Sequence, residues 1–229
     1  MIKGIIFSIL IFFISIAPVQ ADNHLTVEQV ISHVQEQWTT VEDVALFLVI
    51  EHYNETGDLT AELRGRVLAN KEAQIIRLEV TEPDILADQV YVLDEKAGLL
   101  KIYMPVNEQI MVSTLENAAE NQGFELDLER LAQLPDPSLY HMEILRVEDP
   151  ETAPVYVIEV RAKEEPATEV PGYQVFWVDG THWYPTRIEA FTDGGNLLGV
   201  MEICDVVFNE GLSRDELAWL PEDAFVIGP

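Results

Sequence analysis

Asp179 and His182 are the most tempting pair for acid–base chemistry in this chain. They sit in "DGTHWYP" (179–185), where a carboxylate could orient an imidazole as a general base. The stretch lies between two extended runs, however, so its spacing fits a hairpin turn better than a dyad. The other histidines, His24, His33, His52 and His141, share no metal-ligand spacing with it or with one another. Gly-x-Ser-x-Gly, His-Glu-x-x-His, a phosphate-binding Gly loop and Cys-x-x-Cys are all missing from the sequence. Cys204 is the single cysteine, set mid-strand between Ile203 and Asp205 with no His nearby. It reads as a small buried hydrophobe, not a nucleophile, and it can form no internal disulfide. The expectation is a protein with no catalytic residue, metal or cofactor.

Charge narrows the partners. Lys and Arg total 13 against 41 Asp and Glu, a formal net charge of −28. A nucleic-acid partner needs a basic footprint that is lacking here, and an anionic bilayer would repel the surface. The opening residues read as an export signal: "MIK" is cationic, "GIIFSILIFFISIA" apolar, and "VQA" a small-residue cleavage site. Residues 1–21 are therefore expected to be removed after Ala21. No cysteine near Asp22 would accept a lipid, so residues 22–229 should form a single exported domain with no stable membrane anchor of its own.

The elements that must position any site follow from periodicity. Thr26 with Gln29 forms a capping box, and Val27, Val30, Ile31, Val34, Trp38 and Val41 recur at helical spacing. Strand patterns then run through 44–53, 59–69, 73–80, 89–93, 99–104 and 109–115. The run 59–69 alternates strictly, with Leu59, Ala61, Leu63, Gly65, Val67 and Ala69 against Thr60, Glu62, Arg64 and Arg66. One or two short helices are expected within 116–138, where Leu128, Leu131 and Leu134 fall near helical spacing. Strands resume at 140–147, 155–162 and 173–178 and in a long hairpin around Gly194-Gly195. Ser213 and Glu216 open a last short helix.

This is a mostly β (α+β) pattern of about ten strands in hairpin order. An incompletely closed antiparallel β-barrel, with helices forming a lid over an apolar cavity, would bury every stripe. The second arm of the Gly-Gly hairpin is apolar on both faces. Leu197, Met201 and Ile203 alternate with Leu198, Val200, Cys204, Val206 and Phe208, so each face needs a cover. Every methionine after Met1 (Met104, Met111, Met142 and Met201) lies in a strand run, and flexible thioethers suit a wall that accepts flexible chains. The cavity wall is expected from Val30, Val34 and Trp38 of the helix and from Leu63 and Val67 around Gly65, where the strand should bend and make room. Leu48, Ile76, Leu78, Ile102, Met104, Met111, Met142, Ile144 and Phe176 complete it.

The closing half, "WVDGTHWYPTRIEAFTDGGNLLGVMEICDVVFNEGLSRDELAWLP", carries an aspartate-bearing turn, an aromatic-Pro strand start, a Gly turn and an "N-x-G-L" step before a short helix. With the order of the earlier elements, it resembles the LolA-type outer-membrane lipoprotein carriers. The resemblance implies a periplasmic, monomeric carrier whose cavity shields the acyl chains of lipoprotein cargo. Such a carrier takes cargo from an inner-membrane exporter and passes it to an outer-membrane acceptor, with no cofactor. Where the family pattern has an Arg-Pro step fastening the lid, this chain reads Lys71-Glu72. Lys71 is the latch candidate, without the planar fork of Arg. An RseB-like regulator that senses envelope lipids, or a general lipid-binding protein, is the alternative the same pattern allows.

Overall fold

The computed structural model describes residues 25–122, Pro135, 138–163 and 172–228. The expected leader and its cut site, His24, and the stripe Leu128, Leu131 and Leu134 lie outside the described residues.

Helix α1 (Val27–Thr40) starts at the foreseen capping box, with Thr26 Oγ1 accepting from Gln29 N and Gln29 Oε1 accepting from Thr26 N. Strands β1 (Asp43–Tyr53), β2 (Leu59–Asn70), β3 (Ile75–Glu82), β4 (Val90–Asp94), β5 (Leu99–Met104) and β6 (Gln109–Thr114) follow as a meander, then α2 (Leu115–Gln122). A second meander comprises β7 (Tyr140–Glu148), β8 (Val155–Ala162), β9 (Tyr173–Asp179), β10 (Pro185–Phe191) and β11 (Leu197–Phe208). Helix α3 (Arg214–Ala218), opened by the Ser213–Glu216 capping box, and strand β12 (Phe225–Ile227) end the described chain.

The twelve described strands form one sheet in the order β12-β6-β5-β4-β3-β2-β1-β11-β10-β9-β8-β7. It is an open sheet, not a closed barrel, with β7 and β12 at its edges. It is also mixed, because β12 runs parallel to β6. The two meanders meet where β1 pairs with β11, a non-local pairing that joins the two ends of the chain.

Register decides what each face presents. Leu46, Val67, Leu78, Tyr91, Ile102 and Met111 are direct cross-strand partners from β1 to β6. Another row links Leu63, Ile50, Met201, Ile188, Phe176, Ile158 and Ile144 from β2 across to β7. Both rows belong to the face that α1 covers. The opposite face divides in two. Over β1–β4, Ala45, Leu68, Ile75 and Val92 are buried with Leu217 of α3. Toward β7–β11 it carries Arg–Glu pairs: Arg146–Glu148, Arg161–Glu159, and Arg187 with Glu189 and Glu202. Arg146 and Arg187 also lie over the Trp177 ring. That half is a solvated face.

The alternation expected for β11 breaks at Asp205. Two steps along β1, from Ala45 to Phe47, match three along β11, from Val207 to Cys204, and Asp205 is left-handed at φ 50°. An extra residue in one strand is a β-bulge, and a one-residue slip sends all later side chains to the other face. Val206 and Phe208 thereby join Met201 and Ile203 on the α1 face. Cys204 stays on the other face and is exposed, not buried as its apolar neighbours suggested. Partial desolvation, with the carboxylates of Glu202 and Asp205, raises its thiol pKa, which disfavours a reactive thiolate.

Candidate functional site

Helix α1 lies across the joint between the two meanders. Val30, Ile31 and Val34 are buried with Tyr156, Ile158, Val160, Phe176 and Val178, and Met142, Ile144 and Trp183 pack around them. One turn on, Trp38 leaves that cluster and packs with Val44, Leu46, Leu63, Val67 and their neighbours. A cavity of about 40 Å³ opens between the two clusters, beneath the C-terminal half of the helix. Val34, Gln37 and Trp38 form its roof. Val44, Leu46, Ile203, Val206 and Phe208 form the floor, and Trp183, Tyr184 and Pro185 one side.

The lining is chiefly apolar, with polar groups carried by Gln37, Trp38, Trp183 and Tyr184. Burial and then Asp179 raise the pKa of the Tyr184 hydroxyl, so it stays neutral. Trp38 Nε1 is a buried donor with no hydrogen-bond partner. Unpaired buried donors are rare because each forfeits its bonds to water without replacement.

The walls owe their shape to two left-handed residues. The Asp205 bulge supplies Val206 and Phe208. Trp183 has φ 57°, an unusual conformation for a bulky residue. That geometry stacks its indole on His33 of α1 at 4.3 Å and near Tyr156 at 6.0 Å, while Tyr184 meets Phe208 edge-on at 5.8 Å. "DGTHWYP" is therefore a turn with a structural task. Asp179 Oδ1 accepts from Thr181 N at 2.6 Å and His182 N at 2.8 Å, and His182 Nδ1 stands 3.5 Å from the second carboxylate oxygen. The exposed imidazole takes part in turn geometry. Among the described residues, no three His, Cys, Asp or Glu side chains converge as metal ligands. Nor is any described helix long and apolar enough to cross a membrane.

Among the described residues, the polar ties from α1 to the rest of the fold come from its last turn. Lys71 Nζ donates to the Trp38 carbonyl at 3.2 Å, and its ammonium lies 5.5 Å from the centre of the Trp38 ring. Asn209, also left-handed at φ 60°, donates from Nδ2 to the Thr40 carbonyl and accepts from Glu42 N. Buried Asp43 accepts from Glu210 N and Gly211 N, both at 2.9 Å. The "N-x-G-L" step is a clasp on the α1–β1 joint.

Of the residues expected to line a cavity, the structure places Val34 and Trp38 there. Leu48, Leu63, Val67, Ile76, Leu78, Ile102, Met104 and Met111 share the α1 face but lie within the β1–β6 cluster. Val30, Met142, Ile144 and Phe176 belong to the β7–β10 cluster. Gly65 makes no room. A Cβ there would stand 2.6 Å from the Glu79 carbonyl oxygen and 2.9 Å from Leu78 Cδ1, so the glycine admits a close approach of β3. Sequence reasoning missed Trp183, Tyr184, Val206 and Phe208. The Asp inside an apolar strand and the Trp-Tyr pair in a turn were the available signals.

No family model matches the sequence, and no curated protein matches it. Solved structures do match. An uncharacterized conserved protein from Thermus thermophilus superposes with a TM-score of 0.57 at 14% identity, over 87% of this chain and 97% of its own. MucB superposes at 0.55 with 15% identity, over 87% of this chain and 64% of its own, and its complex with MucA is matched as well. A LolA superfamily protein from Nitrosomonas europaea matches more loosely, at 0.41 and 15% identity, over 86% of this chain and 99% of its own. At such identities the likeness is one of fold. The chain shares the fold of the Thermus protein and of MucB.

Proposed function

We propose that this protein is an extracytoplasmic carrier that takes acyl chains of lipoproteins between α1 and the sheet and moves them toward the outer membrane. The observation behind the reading is the cavity itself, apolar and placed where the covering helix bridges two separate clusters. A ~16-carbon chain in water costs on the order of 10 kcal/mol at ~0.8 kcal/mol per methylene. Burying it beneath α1 would recover much of that. The space of about 40 Å³ is far below the ~300–1,000 Å³ of ligand pockets, so α1 must swing outward as a lid when a chain enters. Its last turn, held by Lys71 and Asn209, would be the pivot.

The sequence resemblance to the LolA-type carriers and the expected export signal favour a carrier with an inner-membrane exporter and an outer-membrane acceptor as partners. Mass spectrometry of organic extracts from gently purified protein tests this. Co-purified acyl lipid or acylated lipoprotein is expected. An extract without acyl chains, from protein that also fails to bind a fluorescent fatty acid, would refute it. The MucB match supports a second reading, a regulator that senses envelope lipids, although this chain spans only 64% of MucB. A carrier gives its acyl ligand up to acceptor membranes. A sensor keeps it and changes its affinity for a partner protein.

A further inference from the structure

Trp38 holds a buried indole N–H that meets no acceptor, and the same residue forms part of the cavity roof. An entirely hydrocarbon ligand would leave that donor unpaired. A ligand with one acceptor oxygen at the end of its chain would pair it. A carboxylate is the less suitable acceptor, because the chain carries a net charge of −28 and the remaining lining is neutral. Uncharged acyl esters supply the acceptor without the charge.

We propose that the cavity recognises the ester carbonyl of an acyl chain through the Trp38 indole N–H, so that the protein selects esters over ethers and free fatty acids. This deepens the acyl-carrier reading and rests on it.

The test compares ligands that differ at the carbonyl alone. Monododecanoylglycerol and 1-O-dodecylglycerol, with dodecanoate as a third ligand, are titrated into the full mature protein by displacement of a fluorescent acyl probe. The ester is expected to bind about fivefold tighter than the ether, the scale of one hydrogen bond to an otherwise unpaired donor. Dodecanoate should bind more weakly than the ester. Trp38→Phe should abolish the difference in affinity between ester and ether. Should Trp38→Phe fold poorly, the wild-type protein gives a second reading. With ¹⁵N-labelled tryptophan, the Trp38 indole N–H resonance, assigned by replacing Trp177, Trp183 and Trp219 in turn, should shift with ester and not with ether. Equal affinity for ester and ether, an ester preference that survives in Trp38→Phe, tighter binding of dodecanoate, or an unmoved resonance would each overturn the proposal while acyl binding itself stood. Failure to bind any of the three ligands would instead remove the carrier reading beneath it.

Discussion

Two of the described helices, α1 and α3, cover opposite faces of the sheet, and they are attached by different means. Helix α3 buries a single large side chain, Leu217, but the segment around it is pinned by directed bonds. Arg77, itself buried, donates to the Trp219 carbonyl at 2.6 Å and the Leu217 carbonyl at 3.4 Å. Arg214 donates to the Ala73 carbonyl at 2.7 Å and pairs with Asp94, and Asn70 holds the Leu212 carbonyl at 2.8 Å. Helix α1 is nearly three times as long, yet its contacts are chiefly apolar, and among the described residues its polar ties to the sheet sit in the last turn. Dispersion and hydrophobic contacts have no direction, so an apolar ligand can replace them. A guanidinium on two carbonyls has no such substitute. On the proposed function, α3 is the fixed cover and α1 is the one a ligand would displace.

The largest effect should come from a charge placed under the fixed cover. Leu217→Glu buries an unpaired carboxylate and should cost about 5 kcal/mol, on the scale of total domain stability, with loss of the cooperative thermal transition. The same change under the other cover should behave differently. Val34→Glu should keep the strand signal in circular dichroism and abolish binding of a fluorescent fatty acid. Global unfolding of that variant would make both covers equally structural.

A pH experiment sharpens the contrast. Burial pushes the Asp94 pKa up, but hydrogen bonds from Arg214 and Ala97 N outweigh it and hold the pKa below the ordinary carboxylate value of 3.8. A depressed folded pKa contributes stability above the unfolded value, and that contribution is lost as pH falls through the folded pKa. Arg214→Ala should therefore cost about 1–2 kcal/mol near neutral pH, less than a buried charged pair because the Arg214 side chain is 38% exposed. Its acid-unfolding midpoint should move to higher pH, with acyl binding unaffected. The smallest effect is expected at Lys71. Lys71→Met removes one hydrogen bond on the helix end and should cost about 0.5–1 kcal/mol, while speeding ligand entry in stopped-flow fluorescence.

Much of this architecture was legible from period and capping. The strands 99–104 and 155–162 lie where alternation put them, and both capping boxes, at Thr26 and Ser213, are formed. What local pattern could not carry was register. Alternation along β11 assigns Val206 and Phe208 to one face, and the left-handed Asp205 transfers them to the other. Cys204 keeps the face that alternation gives it and is exposed there. β12 has only three residues, too few for a periodic signal, and its parallel pairing with β6 is a tertiary choice. The position of Trp183 depends on a backbone angle that no composition reveals. The site lies where those non-local choices meet, so its general face was readable and its walls were not.

Whether α1 is an exchangeable cover and α3 a fixed one is tested most directly by amide hydrogen exchange, followed residue by residue with and without an acyl ester. Residues 27–40 are expected to exchange through local openings well below the global unfolding free energy. The ester should alter their protection, while 214–218, together with β2 and β3 beneath them, exchange only by global unfolding in both states. Exchange of α1 at the global limit, unaltered by ligand, would contradict the distinction between the two covers.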